Sequence, residues 1–134
     1  MDEERPWGGF NIIGQNRSKT TTIKVIYVNP HSRLSLQYHL KRSEDWTCLS
    51  GIVKAEVDGE ITLLYRGDHL HVPAGTIHRF GTGLGDNEAQ VLEVSYGDFD
   101  ENDIVRISDD YGRVPEKPEG KSLKDITIIE SLSS

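Results

Sequence analysis

The sequence predicts an all-β domain, either a sandwich or a barrel. Three observations carry this reading. Short β-like segments recur along the chain with turn residues between them. An Asp58-Gly59 pair separates two of these segments. No stretch before residue 98 keeps a helical period over three turns.

Taken in order, Lys19 to Val28 is rich in Thr, Ile and Val and stops at Asn29-Pro30. Arg33 to His39 alternates, with Leu34, Leu36 and Tyr38 on one face and Ser35, Gln37 and His39 on the other. Trp46 to Leu49 is a short strand ended by Ser50-Gly51. Ile52 to Val57 and Glu60 to Tyr65 flank Asp58-Gly59, a hairpin signal because both residues tolerate positive φ. His69 to Val72 stops at Pro73-Ala74-Gly75, and Ile77 to Phe80 leads into a Gly-rich loop from Gly81 to Gly85. Val91 to Tyr96 completes the set and Ile104 to Ile107 adds an edge strand. From Val114 onward Pro115, Pro118 and Gly120 interrupt regular structure. Residues 1–113 therefore read as one barrel with an N-terminal strand, and 114–134 as an extension. Within that extension, Asp125 to Glu130 is either a final edge strand or a mobile tail.

The length of 134 residues fits one domain, and the net charge of −7 disfavours nucleic acid and anionic membranes, both of which reward basic surfaces. No apolar run approaches the ~20 residues that span a bilayer. The acidic start Met1-Asp2-Glu3-Glu4 is unlike a secretory signal, so a cytoplasmic protein is expected. The single Cys48, inside a β-like run, reads as a small buried hydrophobe and excludes a cysteine-rich zinc site.

Gln37 and His39, two apart on a strand, project to the same side. Glu44 follows after a short connection, and His78 lies just past the Pro73-Ala74-Gly75 turn. Brought together, they supply two imidazole nitrogens, one amide oxygen and one carboxylate oxygen. That donor set suits one divalent zinc, manganese, iron, cobalt or nickel ion better than magnesium or calcium. His69 and His71 imitate a ligand pair but read as surface or pocket-rim residues, and His31 as exposed. The acidic run Asp98 to Asp103 reads as a solvated turn, Trp7 as core, and Asp109-Asp110-Tyr111-Gly112-Arg113 as a turn anchoring the end of the barrel.

The spacing resembles the cupin family. Its first motif, G-x5-H-x-H-x4-E-x6-G, is matched in register by Gln37, His39, Glu44 and Gly51, with Gln37 at the first histidine and His31 at the leading glycine. Its second, G-x5-P-x-G-x2-H-x3-N, is matched by Gly67, Pro73, Gly75 and His78, with Thr82 in place of asparagine. Several runs extend the likeness. They are Arg5-Pro6-Trp7-Gly8, Leu34-Ser35-Leu36-Gln37, Arg42-x-Glu44-x-Trp46, Pro73-Ala74-Gly75-Thr76-x-His78-Arg79, and Asp103-Ile104-Val105-Arg106 with Asp109 to Arg113. Together they resemble the type II mannose-6-phosphate isomerase cupin, which often forms the C-terminal part of mannose-1-phosphate guanylyltransferase fusions. Leu40 and Lys41 depart from the histidine-rich stretch common in that family.

The resemblance implies a cupin double-stranded β-helix, a jelly-roll barrel, and a metal set that includes Gln37. It also implies metal-dependent interconversion of mannose 6-phosphate and fructose 6-phosphate. No Gly-rich phosphate loop precedes a helix, so guanylyl transfer is not expected. Lys41, with the strand parity of Gln37 and His39, is nominated as proton shuttle or substrate contact, and Arg79 as phosphate clamp. Arg42 and Trp46 are nominated as substrate contacts. A cupin that binds a sugar phosphate or sugar nucleotide without turnover, and a cupin with other metal chemistry such as an oxygenase, are the competing readings. The expected partners are a small sugar phosphate and a second copy of the chain in a homodimer.

Overall fold

The structure, a computed structural model, describes residues 3–83, 85–97 and 103–112. Its strands are Glu3–Arg5 (β1), Gly8–Gln15 (β2), Thr21–Val28 (β3), Leu36–Tyr38 (β4), Arg42–Ser50 (β5), Val53–Val57 (β6), Glu60–Leu64 (β7), His69–Val72 (β8), His78–Thr82 (β9), Ala89–Gly97 (β10) and Val105–Ser108 (β11). No helix occurs among the described residues. The tail strand and its boundary at 113/114 lie outside them, as do positions 98–102 of the acidic run.

Strand alternation places the core. Along β3, Thr22, Lys24, Ile26 and Val28 are buried while their neighbours are half-exposed, and β10 and β5 repeat the pattern. These strands form the middle of a six-stranded sheet ordered β1-β2-β3-β10-β5-β8. It faces a five-stranded sheet ordered β11-β4-β9-β6-β7, and every described pairing is antiparallel. Trp7, Phe10, Ile26, Trp46, Cys48, Val53, Leu64, Val72, Phe80 and Val91 fill one end of the space between the sheets. Cys48 and Trp7 are core residues, as the sequence suggested. The Asp58-Gly59 hairpin is present, with φ of +49° and +82°, and joins β6 to β7 with Val57 paired to Glu60.

The strand expected at Arg33 to His39 is shorter and bulged. Arg33 bridges Gly81 and Gln37 pairs with His78, so four steps along one chain match three along the other. The extra residue reverses the parity of the first half. Leu34 therefore packs on the main core, whereas Leu36 and Tyr38 join Ile107 in a second cluster. Gln37 keeps the predicted side. The N-terminal end holds two strands, β1 and β2, where the sequence suggested one. Gly8, Gly9 and Gly14 dilute their β signal, and the register shifts between Ile12 and Gly14. The edge strand expected at Ile104 to Ile107 is present as β11.

Candidate metal centre and substrate cavity

The two histidines and the carboxylate among the four candidate ligands converge, and Gln37 lies on the same cavity wall as Glu44. His39, Glu44 and His78 each offer a ligand atom, all within 4.8 Å of one another, and each residue is at most 3% exposed. His39 follows β4, Glu44 lies on β5 of the opposite sheet, and His78 opens β9 directly after the Pro73-Ala74-Gly75 turn. His39 Nε2 lies 3.6 Å from Glu44 Oε2, and His78 Nε2 lies 3.4 Å from Glu44 Oε1. Gln37 is the cross-strand partner of His78, so the two side chains share a face. Its Oε1 accepts a hydrogen bond from Ser35 Oγ at 3.0 Å on the wall of the cavity that Glu44 also lines.

Second-layer groups fix both imidazoles for ligation. His39 Nδ1 donates to the Asp103 carbonyl at 2.6 Å, and His78 Nδ1 donates to the Thr76 carbonyl at 2.9 Å. Each ring therefore carries its lone pair on Nε2, the atom it offers to the trio. His78 Nε2 is buried and has no hydrogen-bond partner among the described residues, a costly arrangement that a cation would relieve. Burial, followed by the nearby Arg42 charge, pushes the His39 pKa down to about 3, and burial also lowers that of His78. Both rings are therefore neutral at pH 7, the form that binds metal. Burial raises the Glu44 pKa against the opposing pull of Arg42 and the hydrogen bond from Trp46 Nε1 at 3.2 Å. The residues present thus fit a divalent ion: two oriented neutral imidazoles and a carboxylate.

The trio adjoins a cavity of about 200 Å³ whose wall includes Arg5, Lys24, Arg42 and Arg106, with Gln37, Glu44 and Glu93. Arg42 Nη2 donates to His39 Nε2 at 3.1 Å, and Arg42 Nε lies 3.6 Å from Glu44 Oε2. The nominated contact Arg42 is therefore at the site.

The other three nominations are corrected by the structure. Lys41 is exposed in the turn after β4, held there by its backbone N–H on the Asp103 carboxylate at 2.8 Å. The strand ends at Tyr38, so the parity argument does not reach Lys41. Arg79 points to the opposite face of β9 from His78, lies 3.5 Å from Glu56 and lines a different pocket, as strict alternation demands. Trp46 is 0% exposed and packs edge-on against His78 and Phe80, so it supports Glu44 and the core instead of stacking on a sugar.

The remaining polar residues fall outside the trio. His69 and His71 are exposed and flank Asp45 at 3.4 and 2.8 Å. His31 is exposed and adopts a φ of +52°, which explains why its motif position favours glycine. Asp103 does more than close a turn, because its carboxylate accepts the backbone N–H groups of Leu40 and Lys41 and its carbonyl orients His39. Asp110 anchors the barrel end through two hydrogen bonds from Arg33, at 2.7 and 2.9 Å.

Arg5 and Arg106 enter the sequence reading only within matched runs, and Lys24 and Glu93, direct cross-strand partners on β3 and β10, escape it altogether. Their signal is a charge at core parity, in line with Ile26 and with Val91. It is obscured because Ile23, Val25, Leu92 and Val94 make the opposite parity equally apolar. Burial, reinforced by the neighbouring Glu44, pushes the Glu93 pKa up to about 7. Glu93 also accepts a hydrogen bond from Ser95 Oγ at 3.0 Å.

The raised Glu93 pKa makes stability depend on pH. Between the ordinary value of 4.5 and about 7, the folded, metal-free chain keeps a proton that the unfolded chain has released. Stability contributed by this group is therefore lost as pH rises through that window, by roughly 1.4 kcal/mol per pH unit. His39 acts in the reverse sense, losing stability as pH falls below 6.5 toward about 3. Glu93→Gln removes only the first effect. Urea unfolding of the metal-free chains should show the variant gaining on the wild type from pH 4.5 to 7, and a constant offset would contradict the assignment.

Comparisons with known proteins show the family and the fold. A family model described as Mannose-6-phosphate isomerase C-terminal matches residues 1–109. Mannose-1-phosphate guanylyltransferase of Escherichia coli K12 is 35% identical over 111 residues, covering 82% of this chain and 23% of that protein. The alginate biosynthesis protein AlgA of Pseudomonas aeruginosa is 34% identical over 113 residues, covering 84% and 23%. The chain thus spans about a quarter of the length of these curated relatives. Among solved structures, KdgF from Halomonas matches with a TM-score of 0.62 at 16% identity, covering 69% of this chain and 82% of that one. A sugar phosphate isomerase of the cupin superfamily from Silicibacter pomeroyi matches with a TM-score of 0.52 at 24% identity, covering 57% and 50%. The structural likenesses establish the cupin fold, and the match over residues 1–109 places this chain in the mannose-6-phosphate isomerase C-terminal family.

Proposed function

We propose that this chain is a metal-dependent aldose-ketose isomerase domain that interconverts mannose 6-phosphate and fructose 6-phosphate. The observation that carries the reading is the cavity itself. A metal-competent trio stands beside four cationic side chains and one carboxyl group, Glu93, outside the trio. A sugar phosphate needs each of these: a centre that polarises a carbonyl, cations for the phosphate, and a group that moves a proton.

The metal, when bound by His39, Glu44 and His78 with Gln37 beside them, supplies Lewis-acid polarisation of the substrate carbonyl. The remaining roles fall to the chain. Arg5, Lys24, Arg42 and Arg106 hold the phosphate by charge-assisted hydrogen bonds and so orient the sugar. Glu93 takes over the shuttle role from Lys41. As a carboxylate it removes the proton from C2 of the aldose, leaving an enediol-type species, and as the acid it returns that proton to C1 to give the ketose. A hydroxyl proton moves from O2 to O1 in compensation, so no oxidant or co-reactant is consumed. Glu44, as a ligand, is not free for this task. Buried Lys24, whose ammonium lies 4.4 Å from the Phe10 ring centroid, offsets the charge on Glu93.

A coupled assay on the purified chain tests the reading. Interconversion of the two hexose phosphates should vanish with EDTA and return with one of zinc, manganese, iron, cobalt or nickel. Saturable binding of either phosphate without turnover in any of these metals would replace the isomerase with the binding-module reading. Oxygen uptake with iron would favour the oxygenase reading.

A further inference from the structure

Strand β9 carries chemistry on both faces. His78 turns inward to the trio, and Arg79 turns outward into a second pocket of about 270 Å³ on the far side of the five-stranded sheet. The walls of that pocket include Arg33, Lys54, Glu56, Arg79 and Asp110, three cations against two carboxylates, in a chain whose net charge is −7. Arg79 is only 8% exposed, and its Nε and Nη1 are buried without a hydrogen-bond partner among the described residues. Its nearest carboxylate, Glu56, is 3.5 Å from Nε, an ion-pair distance without a hydrogen bond. Asp110 is already engaged by two hydrogen bonds from Arg33. A buried guanidinium with unused donors is costly unless something supplies acceptors.

The pocket is also shaped by the absence of side chains. A Cβ at Gly81 would come within 2.5 Å of the Arg33 Cβ and 2.6 Å of the Ser32 carbonyl oxygen, and one at Gly83 within 2.7 Å of the Lys54 Cβ. These two glycines let the Arg33 backbone and the Lys54 stem lie against the Gly81–Gly83 segment, which brings both cations to the pocket that Arg79 lines. Cations arriving from three chain segments suit a tetrahedral oxyanion, whose oxygens accept from several directions at once.

We propose that this outer pocket is a second ligand site, separate from the metal cavity, which binds the phosphoryl group of a small molecule through Arg79 and Lys54. The site does not depend on the isomerase reading, since it lies on the other face of the sheet and requires no metal.

Inorganic phosphate is the direct probe. The full chain, metal-free and 15N-labelled, is titrated with phosphate at constant ionic strength held with chloride, which separates site binding from general screening. Saturable amide shifts are expected at Lys54, Glu56, Gly81, Thr82 and Gly83. Arg79→Gln should weaken the binding at least tenfold and Lys54→Ala severalfold. Lys54 is half-exposed, so its variant decides the question even if Arg79→Gln fails to fold. Shifts confined to the metal cavity, shifts that never saturate, or binding unchanged in Lys54→Ala would each overturn the proposal.

Discussion

Replacing His78 with alanine should leave the chain unable to retain a divalent ion. Elemental analysis should find about one ion per wild-type chain and essentially none in the variant after dialysis. The expectation follows from how completely this ring is committed. Its Nδ1 is bound to the Thr76 carbonyl, and its buried Nε2, 3.4 Å from Glu44 Oε1, has no hydrogen-bond partner among the described residues. Removing it leaves one imidazole and one carboxylate, a pair that holds transition metals weakly. Affinity should fall by more than the roughly 10–100-fold typical of losing an outer-shell partner. The fold should survive, because the ring's main contacts are with Trp46 and His39, and the truncation relieves an unsatisfied buried nitrogen as well as opening a cavity. A folded variant with wild-type metal content would remove His78 from the site.

Glu93→Gln should separate metal binding from turnover. The amide is nearly isosteric and its oxygen can still accept from Ser95 Oγ, but it cannot accept and return a proton. Isomerase kcat should fall on the order of 10²–10⁴-fold, the usual contribution of a general acid-base group. Metal content should stay near that of the wild type. Equal loss of metal and activity would recast Glu93 as a support for Glu44, and unchanged kcat would remove it from proton transfer.

These two residues also show what a sequence can reveal. His78 is legible because its motif spacing from Pro73 and Gly75 fixes a turn that delivers the next side chain inward. The same holds for His39 and Glu44, and for the hairpin at Asp58-Gly59, where local backbone chemistry dictates geometry. Glu93 and Lys24 are not legible. Both lie on strands whose two parities are apolar, so only the pairing of β3 with β10 shows which face meets the cavity. Lys41 and Arg79 fail for related reasons. A strand that stops at Tyr38 cannot carry parity to residue 41, and a neighbour of an inward ligand on a regular strand must point outward. Trp46 reads as a substrate contact from sequence because its parity fits a cavity-lining ring as well as a buried one. Packing against Phe80 and His78 decides for the core. The bulge before Gln37 depends on pairing with β9, a long-range contact that no local pattern encodes.

Anomalous diffraction from crystals of the metal-loaded chain, recorded at the absorption edge of the bound element, reports most directly on the centre. The account predicts one strong peak between the sheets, about 2.0–2.2 Å from His39 Nε2, His78 Nε2 and a Glu44 oxygen. A peak located instead at His69 and His71 on the outer surface, or none within coordination distance of those three side chains, would contradict it.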